Sequence, residues 1–172
     1  MVSIRAAAFV LGLLLWWACA TGPEVDAAGL ISRPTDGGGE TWHHGTSAHP
    51  FTGVAIARLP DGQIQARASF LQGQRHGLET RWHANGRRER QQHWRHGQLH
   101  GSHIHWDDGG NKLWHTAYDD GVPVRAQSWH AGGTVQSDIR YREGRVISRQ
   151  EWDANGSQRQ LPGFLPNGTP RH

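Results

Sequence analysis

The stretch 77-GLETRWHANGRRERQQHWRHGQLHG-101 begins and ends on glycine, carries Asn85-Gly86 near its middle, and fills most other places with charged, polar or aromatic side chains. Its parts recur along the chain. Glycines stand at Gly62, Gly86, Gly110, Gly133 and Gly156, spaced by 24, 24, 23 and 23 residues. The first four are each followed by a second glycine, at Gly73, Gly97, Gly121 and Gly144. Two aromatic columns keep the same step: Trp82, Trp106, Trp129 and Trp152 precede the first glycine, and Phe70, Trp94, Tyr118 and Tyr141 precede the second. A fixed period of this length marks a repeat architecture, in which each unit buries its apolar face against its neighbours.

Each unit holds two short segments around an Asx-Gly or Gly-Gly turn, which is hairpin grammar. In Leu59-Pro60-Asp61-Gly62 the proline suits the second place of a type I turn, and glycine suits the left-handed position of a bulge that closes a three-residue loop. That loop predicts the pairings Arg58 with Ile64, Trp82 with Arg88, Trp106 with Lys112, and Trp129 with Val135. Because residues two apart share a face, unbroken alternation from those pairs puts Val54, Ile56, Ile64, Ala66, Ala68 and Phe70 on one side. The same alternation puts both aromatic columns on a single face, whereas a two-residue loop would split them. The expected fold is therefore all-β: an elongated, single-layer antiparallel meander of four to five hairpins with the rings as its core. Successive hairpins are joined through Gly-x-x-x-Gly corners such as Gly73 to Gly77 and Gly97 to Gly101. Arg125 and Ser148 stand where the closing glycine would be after Gly121 and Gly144, so those two corners are expected to be less tight.

The string Phe70-Leu-Gln-Gly73-Gln-Arg-His-Gly77, repeated as Trp94-Arg-His-Gly97-Gln-Leu-His-Gly101, resembles the MORN repeat and more closely the MORN repeat variant. With the Trp-x-x-Asn-Gly turn it is similar to the bacterial group of YwqK-type antitoxins, over residues 42–160. The resemblance implies a curved aromatic β-meander that binds proteins or membranes and, in the antitoxin group, neutralises toxins. It implies no catalysis.

Ahead of the repeats, residues 1–20 have one positive charge at Arg5, an apolar stretch and small residues, the layout of a secretory signal peptide. Cleavage is expected either before Cys19 or after Ala20. The first choice resembles a lipoprotein processing site and would lipidate Cys19, the only cysteine of the chain, anchoring the protein to the membrane. Residues 21–41 are small and rich in proline and glycine, and read as a flexible linker. Residues 161–172 read as a C-terminal tail in which Phe164 and Leu165 could cover the last hairpin. The localisation this implies is the periplasm or the outer membrane.

The formal charge is +3, with basic and acidic residues interspersed, which argues against nucleic acid as a partner. No nucleophile elbow, paired carboxylates or phosphate loop is present, so the chain does not read as an enzyme and no cofactor is expected. The favoured function is a protein-binding module with a toxin among the candidate partners. Its contact residues would be Trp82, Trp94, Trp106, Trp114, Tyr118, Trp129, Tyr141 and Trp152. The alternative rests on thirteen histidines. Unbroken alternation places His93 opposite His105 and His103 opposite His115, away from the rings, and imidazoles so opposed could hold zinc or copper.

Overall fold

The computed structural model describes residues 22–35 and 39–171. The leader and the lipidation of Cys19 lie outside the described residues. Among these the chain is all-β apart from one 3₁₀ turn at Ala27–Gly29. The strands are β1 (Glu24–Asp26), β2 (Leu30–Pro34), β3 (Glu40–His44), β4 (Gly53–Arg58), β5 (Ile64–Leu71), β6 (Gln74–Trp82) and β7 (Arg88–Arg95). They continue with β8 (Gln98–Trp106), β9 (Lys112–Asp119), β10 (Val122–Trp129), β11 (Val135–Arg142), β12 (Arg145–Trp152) and β13 (Gln158–Arg159). From β4 to β13 each strand pairs antiparallel with the next, giving the expected meander inside an open sheet of 11 strands.

The Asx-Gly turns form as their chemistry dictates. The Leu59 N–H donates to the Gln63 carbonyl at 2.8 Å and the Gly62 N–H to the Leu59 carbonyl at 2.8 Å, and the same two bonds recur at the four later turns. The glycine supplies the left-handed backbone that closes this loop, with φ of 88° at Gly62 and 79° at Gly86. All four expected pairings are present: Arg58 with Ile64, Trp82 with Arg88, Trp106 with Lys112, and Trp129 with Val135.

Beyond those pairs the alternation expected from the sequence fails. Ala57 pairs with Ala66, Arg81 with Arg90, His105 with Trp114 and Ser128 with Ser137, so Gln65, Glu89, Leu113 and Gln136 are each an extra residue in the strand leaving the turn. A one-residue bulge exchanges the two faces for everything beyond it. The two aromatic columns consequently lie on opposite sides of the sheet. Phe70, Trp94, Tyr118 and Tyr141 share one, the Phe70 face; Trp82, Trp106, Trp129 and Trp152 share the other, the Trp82 face.

The corners between hairpins are two-residue turns with both central residues at positive φ, for example 50° at Gln72 and 74° at Gly73. All four have this form, including those at Asp120-Gly121 and Glu143-Gly144. The missing closing glycine acts on the following strand rather than on the turn. After Gly73 and Gly97 the register slips by two residues across Gly77 and Gly101, which hold φ of 84° and 77°. After Gly121 and Gly144 it slips by only one. The first corners are also tied together: the Gly97 N–H donates to the Arg75 carbonyl at 2.9 Å, and the Gly121 N–H to the Leu99 carbonyl at 2.7 Å.

The segment expected to be a flexible linker is ordered where it is described. β1 pairs parallel with β4, and β2 with β3 makes a separate two-stranded sheet. The reason is a core that the linker reading left uncovered. Phe51, Ala55 and Phe70 are buried, with Val25, Leu30, Trp42 and Ala68 packed round them. Val54, Ala55 and Ile56 of β4 are buried too, because this strand is covered on both faces, and its continuous apolar run is the signature of that environment. The sheet is therefore a single layer only past its first hairpins. At the other end the tail folds back, and the Gly168 carbonyl accepts from the Arg149 N–H at 2.7 Å.

Candidate functional site

Each face carries aromatic rings interleaved with cations. On the Phe70 face, the two-residue corner places Arg75 opposite Phe70, and the next strand brings Trp94 to its other side. The guanidinium carbon lies 5.9 Å from the Phe70 ring centre and 5.3 Å from that of Trp94. Arg75 is held there by an ion pair with Glu79, which is itself buried. Trp42 stands on the far side of Phe70, at 6.1 Å between ring centres. Trp42, Trp94, Gln74, Gln98, Glu40 and Arg75 enclose a cleft of about 470 Å³.

On the Trp82 face the pattern repeats at the opposite ends of the strands. Arg88 lies 5.3 Å from the Trp106 ring centre and Lys112 4.9 Å from that of Trp129. A groove of about 390 Å³ runs between Trp82 and Trp106, with Arg87 and Arg88 in its wall. The eight aromatic residues expected to contact a partner are all half-buried. They fall into two sets, Trp82, Trp106, Trp129 and Trp152 on one face and Trp94, Trp114, Tyr118 and Tyr141 on the other, so no single aromatic surface unites them. The interleaved cations Arg75, Arg88 and Lys112 were not anticipated from sequence. Arg88 and Lys112 could have been, since the expected pairings already set them beside Trp82 and Trp106.

The four histidines offered as metal ligands are not brought together. His103 pairs with Gln92 and Thr116, His105 with Arg90 and Trp114, His93 with Leu78, and His115 with Ile104. The bulges at Glu89 and Leu113 put His93 and His115 on the Trp82 face, while His103 and His105, alternating with Trp106 along β8, stay on the Phe70 face. The side chains agree with that division: His93 Nδ1 lies 3.3 Å from the Ser102 carbonyl oxygen and His115 Nε2 3.2 Å from Ser102 Oγ. His103 and His105 pack edge-on to Trp114, at 4.5 and 5.3 Å.

His103 is the most perturbed titratable group. Burial, reinforced by the Arg90 and His105 charges, pushes its pKa down to about 4 against a smaller opposing pull from Glu79. Neither ring nitrogen has a protein partner, and Arg90 Nε and Trp94 Nε1 on the same face are likewise unpaired. His83 and His130 serve the turns instead, their Nε2 atoms reaching the main-chain carbonyls of Trp106 and Trp152 at 3.1 and 2.9 Å. Among the described residues, the one group of three potential metal ligands is His100, Asp119 and Asp120, at an exposed corner. Arg95 already occupies Asp120 and holds its carboxyl below the usual range.

No protein-family model matches the chain, and no curated protein matches it. Among solved structures it is similar to a mutant of TarM from S. aureus crystallised with fondaparinux, alpha-GlcNAc-glycerol and UDP, at 11% identity and a TM-score of 0.35. That match covers 69% of this chain and 21% of the other, so the chain spans about a fifth of that protein's length.

Proposed function

We propose that the chain is an exported, lipid-anchored repeat module, similar to MORN-variant proteins, that binds a protein partner in the cell envelope. A toxin is the class of partner its sequence resemblance implies. The observation that carries the reading is the ladder Trp82, Arg88, Trp106, Lys112, Trp129 along one face. Aromatic and arginine side chains are the residue types that dominate protein interfaces, because each combines a large rigid surface with a polar or charged handle. With Arg87, Arg88 and Lys112 beside the rings, the complementary surface is an acidic segment. A sheet edge offers less room, since β1 and β13 are three and two residues long.

The test is capture from envelope extracts by the full chain and by Trp106→Ala with Arg88→Ala. The reading requires a specific partner whose affinity falls by about thirtyfold or more in the variant, the scale of a hot-spot loss, while the melting temperature moves little. Equal capture by both chains would overturn it.

A further inference from the structure

We infer that Asn155 is a site of spontaneous modification, losing its amide through a cyclic imide formed with Gly156, while the other two Asn-Gly pairs of the chain are shielded by the fold. Those pairs are Asn85-Gly86 and Asn167-Gly168. Turns of this kind select glycine after asparagine, and glycine also leaves the following main-chain nitrogen free of a side chain that would hinder its approach to the carboxamide. In the reaction the Gly156 nitrogen gives up its proton and bonds to Asn155 Cγ, and the carboxamide nitrogen takes up a proton and leaves as ammonia. Water then opens the imide at either carbonyl, giving an aspartyl or an isoaspartyl residue.

The first feature that sets Asn155 apart is its free side chain. The carboxamide of Asn85 is held at both ends: Nδ2 donates to the Asp108 carbonyl in the next turn at 2.8 Å, and Oδ1 accepts from the Arg87 N–H at 3.0 Å. Asn167 Oδ1 accepts from the Thr169 N–H at 3.1 Å and from Thr169 Oγ1 at 2.8 Å. Asn155 stands in the last Asx-Gly turn, with no later turn to supply a carbonyl. There Asp153 Oδ1 accepts from the N–H groups of Asn155 and Ser157, both at 2.9 Å. The Asn155 carboxamide itself has no hydrogen-bond partner among the described residues.

Room and ease of opening point the same way. A Cβ added to Gly156 would meet nothing within 4 Å, so the imide ring has space to form. One added to the buried Gly168 would come within 2.6 Å of Gln150 Cγ and 2.8 Å of the Arg149 carbonyl oxygen, and one on Gly86 within 3.0 Å of Gln63 Nε2. The Gly156 N–H donates to the Asp153 carbonyl at 3.0 Å and has to be released before its nitrogen can attack. Behind that turn β12 and β13 are joined by two residue pairs, against six between β6 and β7 behind Asn85. The shorter pairing opens more readily. The product carries a new carboxylate and, in its isoaspartyl form, an extra main-chain methylene in the loop of the hairpin whose Trp152 ends the aromatic column of the Trp82 face.

The experiment follows the folded full chain over days at mildly alkaline pH, with peptide mass spectrometry reading the mass gain of amide-to-acid conversion at each Asn-Gly pair. The peptide containing Asn155 should gain it at least about tenfold faster than those containing Asn85 and Asn167, a factor set by the two hydrogen bonds that hold each of the other side chains. In concentrated urea, where the fold is absent, the three should convert at similar rates. Asn155→Ser should remove the gain from its peptide. Equal rates in the folded chain, a faster gain at Asn85 or Asn167, the same inequality kept in urea, or a gain that persists in Asn155→Ser would overturn the assignment.

Discussion

Trp82 and Trp94 stand on neighbouring strands and project from opposite faces of the sheet, because Glu89 adds one residue to β7 between the Trp82–Arg88 and Arg81–Arg90 pairs. Two rings separated by the sheet share no partner, so the stability losses of Trp82→Ala and Trp94→Ala should add within about 0.3–0.5 kcal/mol in a double-mutant cycle. Arg75 and Trp94, stacked at 5.3 Å, should instead couple by about 0.5–1 kcal/mol. Urea unfolding of the single and double variants measures both terms.

Gly73 and Gly97 occupy equivalent corners with φ of 74° and 76°, yet their surroundings differ. A Cβ on Gly97 would meet nothing within 4 Å, while one on Gly73 would come within 2.2 Å of Thr41 Cγ2 and 2.9 Å of the Trp42 carbonyl oxygen. Gly97→Ala should therefore cost only the left-handed backbone penalty of about 1–2 kcal/mol. Gly73→Ala should cost roughly 3 kcal/mol or more, since β3 must also move away from the sheet. Thermal melts of the two variants give the comparison.

His103 makes stability depend on pH. Its folded pKa of about 4 lies below the ordinary value of 6.5, so the unfolded chain takes up its proton first. The neutral ring therefore contributes fully above pH 6.5, and stability should fall as pH drops from there towards 4. Arg90, His105 and His115 oppose the charged ring and Glu79 favours it. His76 and His115, also lowered by burial, add to the same slope. Melting temperatures at pH 7, 5.5 and 4.5 should decline less steeply in His103→Leu than in the parent chain.

The meander and the paired residues beside each Asx-Gly turn were legible in the sequence because turn chemistry is local: the proline, the Asx and the glycine act within five residues of one another. The bulges were not legible. Gln65, Glu89, Leu113 and Gln136 share a position three residues after the turn glycine but no side-chain type, since a bulge of this kind demands only backbone geometry. The expected opposition of the histidines failed for the same reason, since His93 and His115 each lie beyond an unseen insertion while His103 and His105 do not. The N-terminal cover was hidden differently, because Val25 and Leu30 lie in a stretch whose glycines and prolines look like a tether, and only the buried Phe51 and Phe70 give those apolar residues a place to pack.

That cover should be needed for stability. A chain shortened to begin at Glu40 loses Val25 and Leu30 from the core and the parallel pairing of β1 with β4. At about 1.5–3 kcal/mol per apolar side chain, reduced because both are only partly buried, the loss should be roughly 3 kcal/mol. Denaturant midpoints of the full and shortened chains test it, and a tether would make them equal.

The division of the two aromatic columns between the faces follows from the bulge that recurs after each Asx-Gly turn. Interstrand backbone NOEs of the labelled protein measure it directly. The bulged register predicts contacts pairing Thr80 with Gln91 and Ile104 with His115. Contacts pairing Thr80 with Arg90 and Ile104 with Trp114 would return both aromatic columns to one face and contradict the account.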